Sequence, residues 1–443
     1  MKPADLKSML FKEIESLDIS RCVKHPEKDF TRSRKLPFDK TIKCILQMEG
    51  KSLGNELISL FPDPREIPSV SAFIQQRDKL APDAMETLFR SFACSVDNAV
   101  SNDRFLGYRL LAIDGSDIHI PTDPSDKKSF FPGSNGQAPY NLLHLNAMYD
   151  ILNRTYVDAV IQGCMEENEH AAFCSMVDRS LIDRAIVIAD RGYGSYNNLA
   201  HAAEKGWKFL IRVKDRSSKT SILRSFELPD AEEFDMSVKL SITRRQNREI
   251  KELLKIRNSY RWIPNNVHFD FLPNLHGIRN APAEWYTLSI RIIRFRISDD
   301  SYESVVTNLP AESFPPALIK GLYAMRWGVE TSFRHLKYAI GLLYFHTKKA
   351  EHIPHEVFAR LILYNLAELI ASHMILNKRK RKFKYKINFA ALVMILRKFL
   401  CGDISPPDVE TLALKNIVPV RPDRERTRKK QEVSYKSFNY RIS

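Results

Sequence analysis

The sequence predicts a mixed chain, α+β or α/β in class, in which a central core carries a β-rich insertion and is flanked by helical amino-terminal and carboxy-terminal regions. Three observations predict it. Between residues 107 and 213, strand-length and helix-length apolar stretches follow one another in the order β-β-β-α-β-α-β. Residues from about 216 to 310 are rich in strand-like runs, and apolar residues recur at helical spacing within 36–80 and 356–400. The expected division is 1–100, 101–345 with the insertion inside it, and 346–443.

A chain of 443 residues with 44% hydrophobic content is long enough for several cores. Its formal net charge of +15 calls for a polyanionic partner, nucleic acid first, because a compact body with that excess repels itself. No apolar run approaches 18 residues and the amino terminus carries acids without an apolar signal segment, so neither a membrane span nor export is expected. The six cysteines, Cys22, Cys44, Cys94, Cys164, Cys174 and Cys401, form no CxxC pair and read as reduced thiols of a cytoplasmic protein. The 12 histidines form no HxxxH pair, and His119, His144 and His170 read as packing residues, so no transition-metal site is expected.

Helical periodicity marks Leu36 to Met48, Leu53 to Phe61 and Val70 to Leu80, with Gly50 and Pro62 to Pro68 as breaks. Ser69 is placed to cap the third helix, whose polar face would present Ser71, Gln75, Gln76, Arg77 and Lys79. With Arg32, Arg34 and Lys35 ahead of them, these helices read either as a DNA-reading module or as a scaffold with a solvated face. A further helix spans 81–100.

In the core, Gly107 to Asp117 reads as a strand ending on Asp114, with Gly115-Ser116 as a turn and Asp117 capping it. Strands follow at Leu142 to Tyr149 and Tyr156 to Ile161, a helix at Glu169 to Ile182, a buried strand at Ala185 to Asp190, a helix at Tyr196 to Lys205 and a strand at Trp207 to Val213. Acids closing the first and fourth strands are what a ribonuclease H-like fold gives, since right-handed crossovers bring those strand ends together. Asp114 and Asp190 then share a metal, with Asp117, Asp123, Asp126, Asp150 and Asp158 as rival acids and Asp117 the nearest of them. Arg191 reads as a phosphate contact or an acid's partner.

In the insertion, strands read at Val238 to Thr243, around Trp262, from Trp285 to Ile297 and from Val305 to Leu309. Arg291, Arg294 and Arg296 are placed to track a phosphate backbone, and Trp262 and Trp285 to stack on bases or in the core.

The stretch Tyr323-Ala-Met-Arg326-Trp-Gly-Val-Glu330-Thr-Ser-Phe-Arg334-His-Leu-Lys337 reads as one helix. At about 100° per residue, Tyr323, Arg326, Glu330, Arg334 and Lys337 share one face, a carboxylate among three cations and a phenol. The spacing Tyr-x2-Arg-x3-Glu-x6-Lys resembles the YREK motif of DDE transposases of the insertion-sequence family four type. IDGSDIHIP and IADRGYGSYN, around Asp114 and Asp190, also resemble that family's first two catalytic segments. The resemblance runs from about residue 30 to about residue 400. It implies that Asp114, Asp190 and Glu330 are catalytic and hold two Mg²⁺ ions about 3.5–4 Å apart, with Mn²⁺ able to substitute. It implies that Tyr323, Arg326, Arg334 and Lys337 hold DNA phosphates, that the amino-terminal helices bind terminal repeats, and that the insertion lies over the active site as a lid. Double-stranded DNA of element ends and target is the implied partner, a homodimer the implied synaptic form, cut-and-paste joining the implied reaction, and a bacterial nucleoid the implied location. Rival readings are a transposase-derived DNA-binding regulator, which needs no acids, and a structure-specific nuclease on the same fold.

Past residue 346, Glu356 to Leu376 and Ile387 to Leu400 read as apolar helices, suited also to dimerisation. The basic runs 378–386 and 421–430 read as a phosphate footprint.

Overall fold

The computed structural model describes residues 1–420 except 33, 134, 135, 137, 279–281, 300 and 375–382. The basic tail and most of the first basic run therefore lie outside the described residues.

Among the described residues six helices precede the first strand: α1 (Pro3–Ser16), α2 (Ile19–Cys22), α3 (Phe38–Gln47), α4 (Leu53–Leu60), α5 (Val70–Arg77) and α6 (Ala84–Ala99). Helix α1 was not anticipated, although Leu6, Leu10 and Ile14 repeat every four residues and are all buried. Ser69 caps α5 as expected, its side chain accepting from the Ala72 N–H at 3.1 Å. The face of α5 differs from expectation: Ser71 and Gln75 are exposed, but Gln76 and Arg77 are buried, and Arg77 reaches Glu356.

Strands β1 (Arg109–Ile120), β2 (Phe130–Phe131), β3 (Tyr140–Asp150), β4 (Thr155–Gly163), β5 (Ala185–Ala189) and β6 (Lys208–Val213), with helices α7 (Glu169–Arg179) and α8 (Tyr196–Glu204), reproduce the anticipated order apart from the two-residue β2. β1, β5 and β6 are parallel neighbours; β3 runs antiparallel to β1 and carries β4 on its other side. Every residue of β5, Ala-Ile-Val-Ile-Ala, is buried, as a parallel strand covered on both faces requires.

β1 does not end at Asp114. It continues through Gly115 and Ser116 to Ile120, paired with β3 throughout, because β3 supplies backbone partners beyond the point where β5 stops. Gly115 marks a close approach and not a turn: a Cβ there would overlap the His144 ring and lie 2.9 Å from Glu169 Oε1. Asp117 is accordingly a strand residue and caps nothing.

The insertion contains β7 (Phe234–Thr243), α9 (Arg248–Leu253), β8 (Tyr260–Trp262), β9 (Tyr286–Ser298) and β10 (Ser301–Thr307). Its strands extend the central sheet. β10 pairs antiparallel with β6, and the sheet continues through β9 and β7 to β8, ten strands in all among the described residues. Arg291 is buried against Asp235 and is no backbone tracker; Arg296 is exposed. The rings of Trp262 and Trp285 are partly exposed, and Trp262 Nε1 donates to the Arg244 carbonyl at 3.1 Å.

The single helix read over 323–337 is broken. α10 (Pro316–Ala324) ends in a tight turn in which the Met325 and Arg326 N–H groups donate to carbonyls three residues back, and α11 (Trp327–Arg334) begins anew before a π-helical turn, His335–Ala339. Last come α12 (Ile353–His373), β11 (Lys384–Ile387), α13 (Phe389–Cys401), α14 (Pro406–Lys415) and β12 (Ile417–Val420). α12 is buried along nearly its whole length, so helices from both ends of the chain pack around it in one core with α11 and one face of β1, β3 and β4. Its other polar groups are tied to that surround, Arg360 to the Met48 and Glu49 carbonyls and His355 to the Ala81 carbonyl. Among the described residues no helix is long and apolar enough to cross a membrane.

Candidate active site

The parallel register of β1 and β5 ends at Ile113 against Ala189. The next residues are Asp114, still paired with β3 inside β1, and Asp190, just past the end of β5, so strand register places the two acids side by side where the parallel pairing stops. Their surroundings differ. Asp114 accepts from the Gly115 N–H and from Arg326 Nη1, each at 3.0 Å. Burial nevertheless pushes its carboxyl up to about 6; Arg326 and the Gly115 amide oppose the rise, while Glu330 and Asp190 add to it. For Asp190, burial acts upward too, but the Arg191 N–H and the Arg212 guanidinium, both at 2.6 Å, outweigh it and hold the carboxyl below its ordinary range.

Arg326 joins this pair to Glu330. Its guanidinium is buried and donates through Nη1 to Asp114 and through Nη2 to Glu330 at 2.6 Å, one turn along on α11. Burial works against its charge, yet the hydrogen bond to Glu330 and the nearby acids hold it above its ordinary value. Tyr323, also buried, donates to Asp190 Oδ1 at 3.2 Å; burial, then Asp190, raises its phenol, so it stays a donor. Five of the seven residues singled out in the sequence, Asp114, Asp190, Tyr323, Arg326 and Glu330, are thus linked, the carboxylates through Arg326 and Tyr323 and not by direct convergence of all three within 4.8 Å. Lys337 and Arg334 stand apart: Lys337 Nζ donates to the Asp117 carbonyl at 2.8 Å, and Arg334 is exposed.

The rival acids are engaged elsewhere. Asp117 faces His144, Asp150 is buried against Arg109, Asp158 pairs with Arg179, and Asp123 and Asp126 close local turns with Ser125 and Ser129. Sequence reasoning missed Arg212, which clamps Asp190 and Glu303; an arginine following the apolar run Phe209-Leu-Ile211 was the available signal. It also missed Glu169, first residue of α7, which with Asp114, Asp190, Arg191, Tyr193 and Lys214 lines an open cavity of about 750 Å³. An all-oxygen donor set containing a half-buried, incompletely neutralised carboxylate suits a hard divalent cation. Arg326 provides the positive charge between Asp114 and Glu330 in the arrangement seen here.

Residues 106–366 match the family model described as Transposase DDE domain. Over 362 residues the chain is 23% identical to the transposase InsG for insertion sequence element IS4 of Escherichia coli (strain K12), covering 79% of this chain and 73% of that protein. It is 20% identical over 329 residues to the transposase for insertion sequence element IS1151 of Clostridium perfringens, covering 69% and 67% respectively. Among solved structures it is similar to the cryo-EM structure of the piggyBac transposase synaptic complex with hairpin DNA, at a TM-score of 0.45 and 12% identity over 95% of this chain and 88% of that one.

Proposed function

This chain belongs to the family of transposases with a DDE domain, enzymes of metal-dependent DNA cleavage and strand transfer, and from that premise we propose that it cuts both ends of an insertion sequence and pastes them into a target. The observation that carries this reading is the linkage of three acids from three distant motifs: Asp114 beside Asp190 through strand register, and Glu330 tied to Asp114 through the buried Arg326. The strand order and the acids at the edge of the parallel strands support a ribonuclease H-like core.

Asp114, Asp190 and Glu330 would hold the ions, Mg²⁺ with Mn²⁺ able to substitute. Bound there, such ions activate the attacking oxygen and stabilise the leaving one. Asp190 is held below its ordinary range, and Asp114, pushed up to about 6 chiefly by burial, ionises just below neutrality at a desolvation cost that a bound cation would offset. With those carboxylates holding ions, the planar fork of Arg326 would be available to grip a phosphate. Tyr323 keeps its proton and orients Asp190 or a phosphate oxygen. In cleavage, a water oxygen bonds to phosphorus and the bond to the 3′ oxygen breaks, that oxygen leaving as a hydroxyl. In joining, the same hydroxyl attacks a target phosphorus and displaces the target's own 3′ oxygen. Lys337 and Arg334, at the outer end of the motif, hold DNA beyond the reacting phosphate, and the exposed faces of α3, α4 and α5 contact the terminal repeats. Joining two ends makes a homodimer the natural synaptic unit.

A strand-transfer assay tests the reading. A supercoiled donor bearing the inverted repeats that flank the gene, incubated with protein, Mg²⁺ and a target plasmid, should yield joined products. Nicks without joining would favour a nuclease, and binding without any cleavage a regulator.

A further inference from the structure

A second cluster of donors, three residues further along the strand that carries Asp114, is not used by the chemistry above. Asp117 on β1, His144 on β3, Cys164 in the turn after β4 and Glu167 just beyond it each present one ligand atom, and all four atoms lie within 4.8 Å of one another. His144 Nδ1 is 2.7 Å from Asp117 Oδ1 and 3.5 Å from Glu167 Oε1, and Cys164 Sγ is 3.8 Å from Asp117 Oδ1. We propose that these four residues form a structural zinc site, separate from the catalytic ions.

Tetrahedral zinc with bonds of about 2.0–2.3 Å places its ligand atoms about 3.3–3.7 Å apart; the 3.5 and 3.8 Å separations are close to that, the 2.7 Å pair has to open by roughly half an ångström, and pairs near the 4.8 Å bound have to close by up to about 1 Å. The Cys164 thiol donates to Asp117 Oδ1, and the one Nδ1–H of His144 stands against both Asp117 and Glu167, whereas a single cation would engage all four groups. The mixture of nitrogen, sulfur and oxygen donors selects zinc over Mg²⁺, which wants oxygens alone. The outer support is present as well. His144 is buried, and its Nε2 has no hydrogen bond of good geometry yet lies 3.3 Å from Glu169 Oε1, where a small ring rotation makes the carboxylate–imidazole–metal relay that fixes a ligating histidine. Binding replaces the thiol proton and the Nδ1 proton with bonds to the metal and releases both protons to solvent. The ion would clip the outer half of β1 to the turn leading into α7, whose first residue lines the catalytic cavity, and would steady the Asp117 carbonyl that receives Lys337.

Full-length protein, stripped with chelator and titrated with Co²⁺ in excess Mg²⁺, tests this. We expect saturation at one equivalent with a near-ultraviolet thiolate-to-cobalt band, reversal by Zn²⁺, and an unchanged band in Asp190→Asn. Cys164→Ser, at a partly exposed position, should lose the band, and Glu169→Gln should weaken Zn²⁺ binding by about ten- to a hundred-fold. In wild-type protein, needing no variant to fold, Zn²⁺ should protect Cys164 from alkylation mapped by mass spectrometry while exposed Cys94 still reacts. Binding without a sulfur band, a band that survives in folded Cys164→Ser, or equal alkylation of Cys164 with and without Zn²⁺ would overturn the site. None of these readouts depends on transposition, so failure here is distinguishable from failure of the DDE reading.

Discussion

Arg326 is buried and serves two carboxylates at once, so its removal touches both stability and chemistry. Breaking a buried pair by deleting one partner costs about 3–5 kcal/mol, and less here because the Glu330 side chain is 37% exposed. Arg326→Ala is therefore expected to lose both strand transfer and several degrees of melting temperature in chelator, with Mg²⁺ restoring part of the loss; melting curves with and without Mg²⁺ check this. Lys337→Ala, whose one bond is to a backbone carbonyl, should lower joining far more than melting temperature. Asp114 gives a pH signature. Its folded value of about 6 lies above the ordinary 3.8, so its stabilising contribution is complete below about pH 4 and is lost as pH rises through 6. Metal-free Asp114→Asn should accordingly gain on wild type in melting temperature between pH 4 and 7, while Mg²⁺ raises wild type alone. Asp190→Asn should abolish nicking and leave end binding intact in gel shifts.

At the scale of elements, the informative misreadings are β1 and the 323–337 helix. Gly-Ser after an apolar run is a sound turn signal, but β3 offered a longer partner and the missing Cβ of Gly115 made room for His144. A turn would tolerate alanine; this strand should not. Gly115→Ala is expected to cost about 1–3 kcal/mol as an overpacked site and to abolish cleavage, read by denaturant titration and a nicking assay. In the helix, residue spacing correctly grouped Tyr323, Arg326 and Glu330. Beyond Arg334 the π-helical turn changes the angle per residue, and Lys337 reaches Asp117 instead of the acids.

At the scale of the whole molecule, the formal charge of +15 predicts steeply salt-dependent DNA binding, with each neutralised phosphate contributing about −0.9 to the slope of log K against log salt. Deleting residues 421–443 should flatten that slope, as measured by affinity between low and physiological salt. The shared core around α12 carries a second expectation. Arg77 meets Glu356 and Arg360 reaches the Met48 and Glu49 carbonyls, so deleting residues 1–100 would strip α12 of cover and strand buried charges. Loss of a cooperative melt is the expected outcome, in contrast to the clean excision that an autonomous module would allow.

By itself the sequence determined the alternation of strands and helices, the strand that delivers Asp190 and the spacing of Tyr323, Arg326 and Glu330, because periods of two and 3.6 residues and a four-position motif are local properties. Only the tertiary structure decided that β1 runs on past Asp114 to carry Asp117 as well, that Arg326 lies buried between two carboxylates, and that Asp117, His144, Cys164 and Glu167 converge. Those outcomes depend on strand register and on which side chains are packed away from water, and both are set by contacts between residues tens to hundreds of positions apart.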